Sequence, residues 1–214
     1  MIGFLGGTGP EGRGLALRLA LAGEAVFIGS RDEARAAAAA QKIVSKVGGV
    51  LIESGTNLAA AERADTVFVT VPYLAQRETL EAVRCPLAGK IVVNTVSPLT
   101  VVAGVTRALP VPDGSAALEA QSVLPESSVV AAFHTLSAWL LLRPDRDLDC
   151  DVVVCGDDHD ARAKIMALAD RIAGVRAVDG GGLVHAAHLE NFVALMLDVN
   201  RRYKAHSSLR LTGL

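Results

Sequence analysis

The sequence predicts an α/β protein, a doubly wound and mostly parallel sheet with a small helical part at its C-terminal end. Three observations lead there. Short β-branched runs alternate with longer stretches of helical periodicity. A glycine-rich turn joins the first such run to the first helical stretch, and a glycine triplet at 180–182 precedes one last amphipathic segment.

Taken in order, Ile2 to Gly6 reads as a strand and 11–23 as a helix. Strand 25–29, helix 31–47 and a strand near 50–53 complete a β-α-β-α-β unit. The alanine run Ala36 to Ala40 suits the interior of the second helix. Thr56 can cap a short helix through Arg63, Thr66 to Val71 is a buried strand, Leu74 to Val83 a helix, and Lys90 to Val93 the start of another strand. Glycines and prolines predict an irregular stretch from Pro98 to Gly114. A helix from Ser115 then leads to a strand at Val129 to Phe133, so the sheet extends beyond six strands. Asp151 to Cys155 is a strand, Asp157 to Ala173 an amphipathic helix, and Val175 to Val178 a short strand. From Leu183 to Tyr203, Leu189, Phe192, Val193, Met196 and Val199 recur at helical spacing. The glycine triplet therefore divides a body at 1–179 from a C-terminal helix and tail at 180–214.

Gly7-Thr8-Gly9-Pro10-Glu11-Gly12 is a G-x-G-x-x-G turn placed after a strand and before a helix. In that setting Gly7 is expected to permit the tight turn, Gly9 to let the backbone approach a pyrophosphate, and Gly12 to let helix and strand pack closely. The unpaired amides of the helix start would hold the anion. A Rossmann-type dinucleotide-binding body follows. In an NAD site an acidic residue ends the second strand roughly 20 residues past the turn. Here Gly29-Ser30-Arg31 stands there, with Arg35 one helical turn on. A hydroxyl and two guanidinium groups suit a 2'-phosphate, so NADP(H) is the expected dinucleotide. The plainer reading is that Ser30 caps the helix and both arginines are solvated.

The chain has 214 residues, 51% hydrophobic and 21% charged, enough for a substantial core and with an apolar surplus that favours a homodimer. A net charge of -2 and the lack of a basic run speak against nucleic acid as a partner. Cys85, Cys150 and Cys155 form no C-x-x-C pair, which fits a reducing cytoplasm better than a disulfide framework or a thiolate metal site. No run is long and apolar enough to cross a bilayer, and no export signal precedes the first strand.

Thr70-Val71-Pro72-Tyr73, Asn94-Thr95-Val96-Ser97-Pro98 and Phe133-His134-Thr135-Leu136-Ser137-Ala138 each follow a strand, at the carboxyl edge where an open α/β sheet binds ligand. His134, at the end of an apolar strand, could hydrogen-bond a substrate ring, although a histidine there is more often structural. With these segments in view, the chain resembles the NADPH-dependent reductases of coenzyme F420, the 8-hydroxy-5-deazaflavin:NADP oxidoreductases, over nearly its whole length. The resemblance rests on Gly6-Gly7-Thr8-Gly9, Gly14 to Ala20, Gly29-Ser30-Arg31, Lys90 to Val93, His134-Thr135, Val154 to Asp158 and the tail from Asn200 to Leu214. It implies hydride transfer between nicotinamide C4 and deazaflavin C5, with NADP(H) and coenzyme F420 as the two small-molecule partners and no metal. It further implies that Thr8 to Glu11 hold pyrophosphate and that Ser30, Arg31 and Arg35 hold the 2'-phosphate. Val71, Ser97 and Ala138 would flank the nicotinamide, and His134 and Leu209 would touch the deazaflavin. Ser137 stands where the family can carry a proline, and the loop after Ser97 has no counterpart in its pattern.

Other readings of the same residues are weaker. His185 and His188, with Glu190 nearby, have a spacing that can bring two imidazoles to one metal, but no third ligand with motif spacing is evident and a polar helix start accounts for them. Asp157-Asp158-His159-Asp160 is better explained by capping a helix than by a cation. Trp139 could cover the deazaflavin ring or belong to the core or a dimer seam. Two competing functions share the glycine turn: an NADP-dependent dehydrogenase of a small hydroxy acid or imine, which calls for an acid or lysine beside the nicotinamide, and a non-catalytic NADP(H) sensor. A short-chain dehydrogenase is disfavoured, because neither Tyr73 nor Tyr203 stands four residues before a lysine.

Overall fold

The computed structural model describes residues 1–214. Its first half builds β1 (Ile2–Leu5), α1 (Pro10–Leu21), β2 (Val26–Ser30), α2 (Glu33–Val47), β3 (Ile52–Thr56), α3 (Asn57–Arg63), β4 (Thr66–Val69), α4 (Tyr73–Ala82), a single turn α5 (Arg84–Leu87) and β5 (Ile91–Asn94). There follow β6 (Leu99–Val102), β7 (Val105–Ala108), α6 (Ala116–Val123), β8 (Ser128–Ala131), α7 (Ala138–Leu141), β9 (Cys150–Gly156), α8 (His159–Asp170) and β10 (Val175–Asp179). A 3-10 turn at Leu183–His185 leads into α9 (Ala186–Tyr203).

Eight strands form one sheet in the order β10-β9-β8-β5-β4-β1-β2-β3. Neighbours from β3 to β8 run parallel, as do β9 and β10, but β8 and β9 meet antiparallel. The strand order reverses at β1, so the crevice beyond the carboxyl ends of β1 and β4 is the place where such sheets bind ligands. Both faces are covered, which explains the nearly continuous apolar strands. Along β1, β4, β5 and β8 the side chains alternate. Phe4, Phe68, Val93 and Val130 pack under α1, α2 and α8, whereas Leu5, Val67, Val69, Val92 and Val129 pack under α3, α4 and α6.

Short polar side chains start the helices, as the sequence anticipates at Thr56 and within Asp157 to Asp160. Asp32 accepts from the amides of Ala34 and Arg35, Thr56 from Ala59, Ser115 from Leu118, and Asp158 from Asp160 and Ala161. The α2 cap is thus Asp32, and Ser30 plays a different local part.

The stretch expected to be irregular, from Pro98 to Gly114, instead contains the β6-β7 hairpin, in register from Leu99 opposite Ala108 to Val102 opposite Val105. Its two-residue turn places both Ala103 (φ 50°) and Gly104 (φ 80°) in the left-handed region. Alanine is a poor signal for that conformation, which hid the hairpin. Asp198 of α9 holds it, accepting from the Thr106 amide at 3.1 Å and hydroxyl at 2.7 Å.

The tail after α9 folds back on the sheet through Asp151, which has no exposed surface. Its amide donates to the Leu209 carbonyl at 2.7 Å, and its carboxylate accepts from the Leu211 amide at 2.6 Å and from both guanidinium arms of Arg176 at 2.9 and 2.7 Å. Arg176 is the main reason its carboxyl lies below the usual carboxylate range.

Arg18 of α1, 4% exposed, reaches across to the segment after α7. Nε donates to the Leu141 carbonyl at 3.0 Å, and Nη2 to those of Leu140, Arg143 and Arg146 at 2.9, 2.5 and 2.8 Å. These carbonyls at and beyond the end of a one-turn helix gain a cation as their partner. Gly14 lets the two segments touch, since a Cβ there would lie 2.6 Å from that of Leu141. Replacing Arg18 with alanine should lower unfolding stability by about 2–4 kcal/mol, because buried carbonyls lose a charged donor. Urea denaturation measures this, and a loss below about 0.5 kcal/mol would show the clamp to be dispensable.

Candidate active site

The chain turns sharply out of β1 at Gly6, whose φ of +71° is open to glycine and strained for other residues. A Cβ there would also come within 2.4 Å of Val71 Cγ1. The tight turn assigned to Gly7 therefore belongs to Gly6. Gly7 is needed instead for packing, since its Cβ would meet that of Phe4 at 2.8 Å. Gly12 fulfils its expected role, as a Cβ would fall 2.7 Å from Thr70 Oγ1 and 2.8 Å from Gly7 Cα. Gly9 differs from all three, with no atom within 4 Å of the Cβ position. It is also the N-cap of α1, and no side chain caps the first-turn amides. Open space over uncapped amides at a helix start is what a pyrophosphate requires.

That space belongs to a cavity of about 420 Å³ lined by Thr8, Gly9, Pro10 and Glu11 at one end and Ser30, Arg31 and Arg35 at the other, with Val71 on a side wall. Asn57 fixes the turn from beneath by accepting from the Gly6 amide at 3.1 Å. Arg31 and Arg35 are exposed, and neither forms an ion pair within the chain. The one acidic neighbour on this rim, Asp32, is engaged in capping α2. Ser30 is 7% exposed, and its Oγ accepts from the Asp32 amide at 3.2 Å, which leaves its O–H free to donate. The rim is thus a cationic fork with a hydroxyl, suited to a phosphate on the ribose.

A second cavity, about 460 Å³, opens on the other side of Glu11. Its floor is the segment His134 to Trp139, and its far wall is Val193, Met196 and Asn200 of α9 with Ala205 to Ser207 of the tail. The chain enters this floor through Phe133, a non-glycine residue at φ 70°. Phe133 is held there by Phe68, 5.4 Å away between ring centres, which stacks on Phe4 at 5.0 Å. Such a conformation persists only when its surroundings over-determine it. The kink turns the chain out of the sheet line at His134.

His134 is 8% exposed, and neither ring nitrogen has a hydrogen-bond partner. Burial pushes its pKa down to about 4, so the ring is neutral at neutral pH, with one N–H donor and one acceptor unused. Trp139 lies parallel to His206 at 4.2 Å, and the Arg143 guanidinium sits 3.1 Å from its ring centre. The indole thereby joins the cavity floor to the tail.

Glu11 lines both cavities. The residue is half-buried, its Oε1 is shielded from solvent without a partner, and this desolvation pushes the carboxyl pKa up to about 8. Sequence reasoning gave this residue only a backbone role, and nothing in the local pattern announces its burial.

Of the remaining expected residues, Ala138 lies on the second cavity's floor. Ser97 and Leu209 line neither cavity; Ser97 follows β5, and Leu209 is tied by its carbonyl to Asp151. The turn leading to Ser97 is set by a buried network that the sequence did not reveal. Asn94 donates to Gln76 at 2.8 Å and accepts from the Val96 amide at 3.0 Å, while Gln76 donates to Glu119 at 3.1 Å. His185 and His188 lie 6.0 Å apart by ring centres, but Glu190 turns away from them to accept from the Ala116 and Ala117 amides.

Fold and site together define a Rossmann-type dinucleotide-binding protein whose nucleotide cleft adjoins a second, ring-lined cavity. The sequence profile described as NADP oxidoreductase, coenzyme F420-dependent, matches residues 1–98. The F420-dependent NADP reductase of Methanothermobacter marburgensis is 40% identical over 100% of this chain and 98% of its own length, and that of Methanocaldococcus jannaschii is 39% identical with the same coverage. A crystal structure described as a putative F420-dependent NADP reductase from an Arthrobacter species superimposes with a TM-score of 0.84 at 26% identity, over 99% of this chain and 98% of that one. The chain belongs to the F420-dependent NADP reductase family.

Because the folded pKa of His134 lies below the ordinary value of 6.5, the folded state binds fewer protons there than the unfolded one. Its contribution to stability is complete above pH 6.5 and is lost as pH falls from 6.5 towards 4. His134→Leu should flatten this part of the stability curve in thermal melts taken between pH 7 and pH 4. An unchanged slope would mean that the imidazole is not held neutral.

Proposed function

We infer that the protein catalyses reversible hydride transfer between NADP(H) and the deazaflavin coenzyme F420. The observation that carries this reading is the meeting of the two cavities at Glu11, one shaped for a phosphorylated dinucleotide and the other floored by rings. The full-length likeness to F420-dependent NADP reductases supports the choice of partners. With both coenzymes bound, nicotinamide C4 and deazaflavin C5 exchange a hydride in a two-electron step.

The chain's own contribution is position and electrostatics. Gly7, Thr8, Gly9, Pro10, Glu11 and Gly12 shape the pyrophosphate seat, where Gly9 leaves room and the α1 amides donate. Ser30, Arg31 and Arg35 bind the 2'-phosphate, a role supported by two guanidinium groups without ion-pair partners. Val71 and Ala138 are assigned to the borders of the nicotinamide, whereas Ser97 lies outside both cavities. His134, neutral and unpartnered, is suited to donate a hydrogen bond to a ring carbonyl or nitrogen of the acceptor, whereas Leu209 lines neither cavity and anchors the tail to Asp151. The helix and tail at 180–214 supply the outer wall of the acceptor cavity to the body at 1–179, and the three unpaired cysteines suit a reducing cytoplasm.

The same C-terminal segment offers a surface for a second copy of the chain. Phe192, Leu195 and Val199 recur along α9 and stay exposed, as do Val101, Val102 and Val105 of the hairpin that packs on it. Analytical ultracentrifugation should give twice the chain mass of 22.2 kDa, and Leu195→Glu should shift the protein towards monomer. A wild-type monomer would remove this part of the reading.

Mixing protein, NADPH and oxidised F420 should bleach the deazaflavin's visible absorbance, and no bleaching would refute the assignment. Arg31→Ala should raise KM for NADPH by roughly tenfold or more and that for NADH far less, since only NADPH carries the 2'-phosphate. Equal effects on both would show that Arg31 does not read that phosphate.

A further inference from the structure

Hydride transfer to a deazaflavin also requires a proton. The C4–H bond of the dihydronicotinamide breaks with its electron pair, a C5–H bond forms, and the displaced ring electrons take up a proton at N1. Some group must supply that proton, and in the reverse direction the same group must receive it.

We propose that Glu11 carries this proton: its carboxyl, set in the wall between the two cavities, protonates the deazaflavin as the hydride arrives and recovers a proton from water afterwards. The step balances, with one O–H bond broken and one N–H bond formed, and the carboxylate left behind is returned to the acid by solvent. The proposal rests on the function inferred above.

Three observations support it. First, Glu11 lines both the nucleotide cleft and the ring-lined cavity, so it stands where the two reacting rings are to meet. Second, Oε1 is shielded and without a hydrogen-bond partner, so the carboxyl is not engaged in holding the fold. Third, no cation pairs with it. On its own helix Arg13 has an unpartnered Nε, and Arg18 is directed to the carbonyls after α7. Across the acceptor cavity stand His134, Arg201 and His206, with His134 neutral and Arg201 bound to Asp198. Across the nucleotide cleft stand Arg31, Asp32 and Arg35 at the far rim. Glu11 is half-buried, with one shielded oxygen that lacks a counter-charge, and this desolvation raises its pKa to about 8, which keeps it an acid at neutral pH and lets it recycle. His134 is less suited to the task, because burial leaves it unprotonated.

Glu11→Gln tests this, since glutamine keeps the size and removes the proton. In the ligand-free protein at pH 7, the infrared difference between wild type and the variant should contain the C=O band of a protonated carboxylic acid. The difference isolates Glu11 from Glu190, whose burial also raises its pKa. Calorimetry with NADP+ separates any change in dinucleotide binding by the variant from a change in proton delivery, and rates are compared at saturating NADPH. Stopped-flow reduction of F420 by NADPH should slow by about a hundredfold or more, the usual span for a lost general acid. The wild-type rate should fall as pH rises past about 8, and this fall should be absent in Glu11→Gln. Glu11→Asp should recover part of the rate. A carboxylate band in place of the acid, or a variant with the wild-type rate and pH profile, would overturn the proposal while leaving the functional assignment intact. A wild-type protein that binds NADP+ but never bleaches F420 would overturn both.

Discussion

Arg18, in the last turn of α1, directs its guanidinium to the backbone carbonyls at 140, 141, 143 and 146, just beyond the floor of the second cavity. The helix that bears it, α1, begins at the open space over Gly9 and carries Glu11 in its first turn. One rigid element therefore fixes the seat of the dinucleotide, the wall between the cavities and the segment that floors the acceptor side. Burying a guanidinium is costly unless its donors find partners, and here Nε and Nη2 meet four carbonyls. Hydride transfer falls off steeply with misplacement of the reacting atoms, so a helix shared by both cavities has direct functional value.

The C-terminal segment closes the site from the opposite side. Asp151, buried and bonded to Arg176, holds the returning tail at Leu209 and Leu211, and Trp139 meets His206 in a parallel stack. The second cavity thus draws on residues far apart in the chain, whereas the two ends of the nucleotide cleft come from the β1-α1 and β2-α2 turns, with Asn57, Thr70 to Pro72 and α4 supplying its side wall.

That difference explains what could be read from the sequence. The glycine turn, the Ser30-Arg31 corner and the caps Thr56, Ser115 and Asp158 are local devices, and local patterns report them. The parallel body followed from strand and helix alternation, but the antiparallel entry of β9 did not, because the segment between Ala131 and Cys150 carries only the one-turn helix α7. The hairpin at 99–108 was concealed by an Ala103-Gly104 turn whose first residue does not advertise a positive φ. Gly6 was overlooked in favour of Gly7 because the motif lists spacing, not dihedral angles. The burial of Glu11, the reach of Arg18 and the Asn94-Gln76-Glu119 network are products of tertiary packing and leave no periodic trace.

Transfer at the junction of the two cavities requires nicotinamide and deazaflavin to touch directly. NADPH deuterated stereospecifically at C4 tests it most directly, with mass spectrometry of the reduced F420. One C4 epimer should deliver its deuterium to deazaflavin C5 in full and the other should retain it on NADP+. Deuterium released to water, or absent from the product with both epimers, would contradict the account.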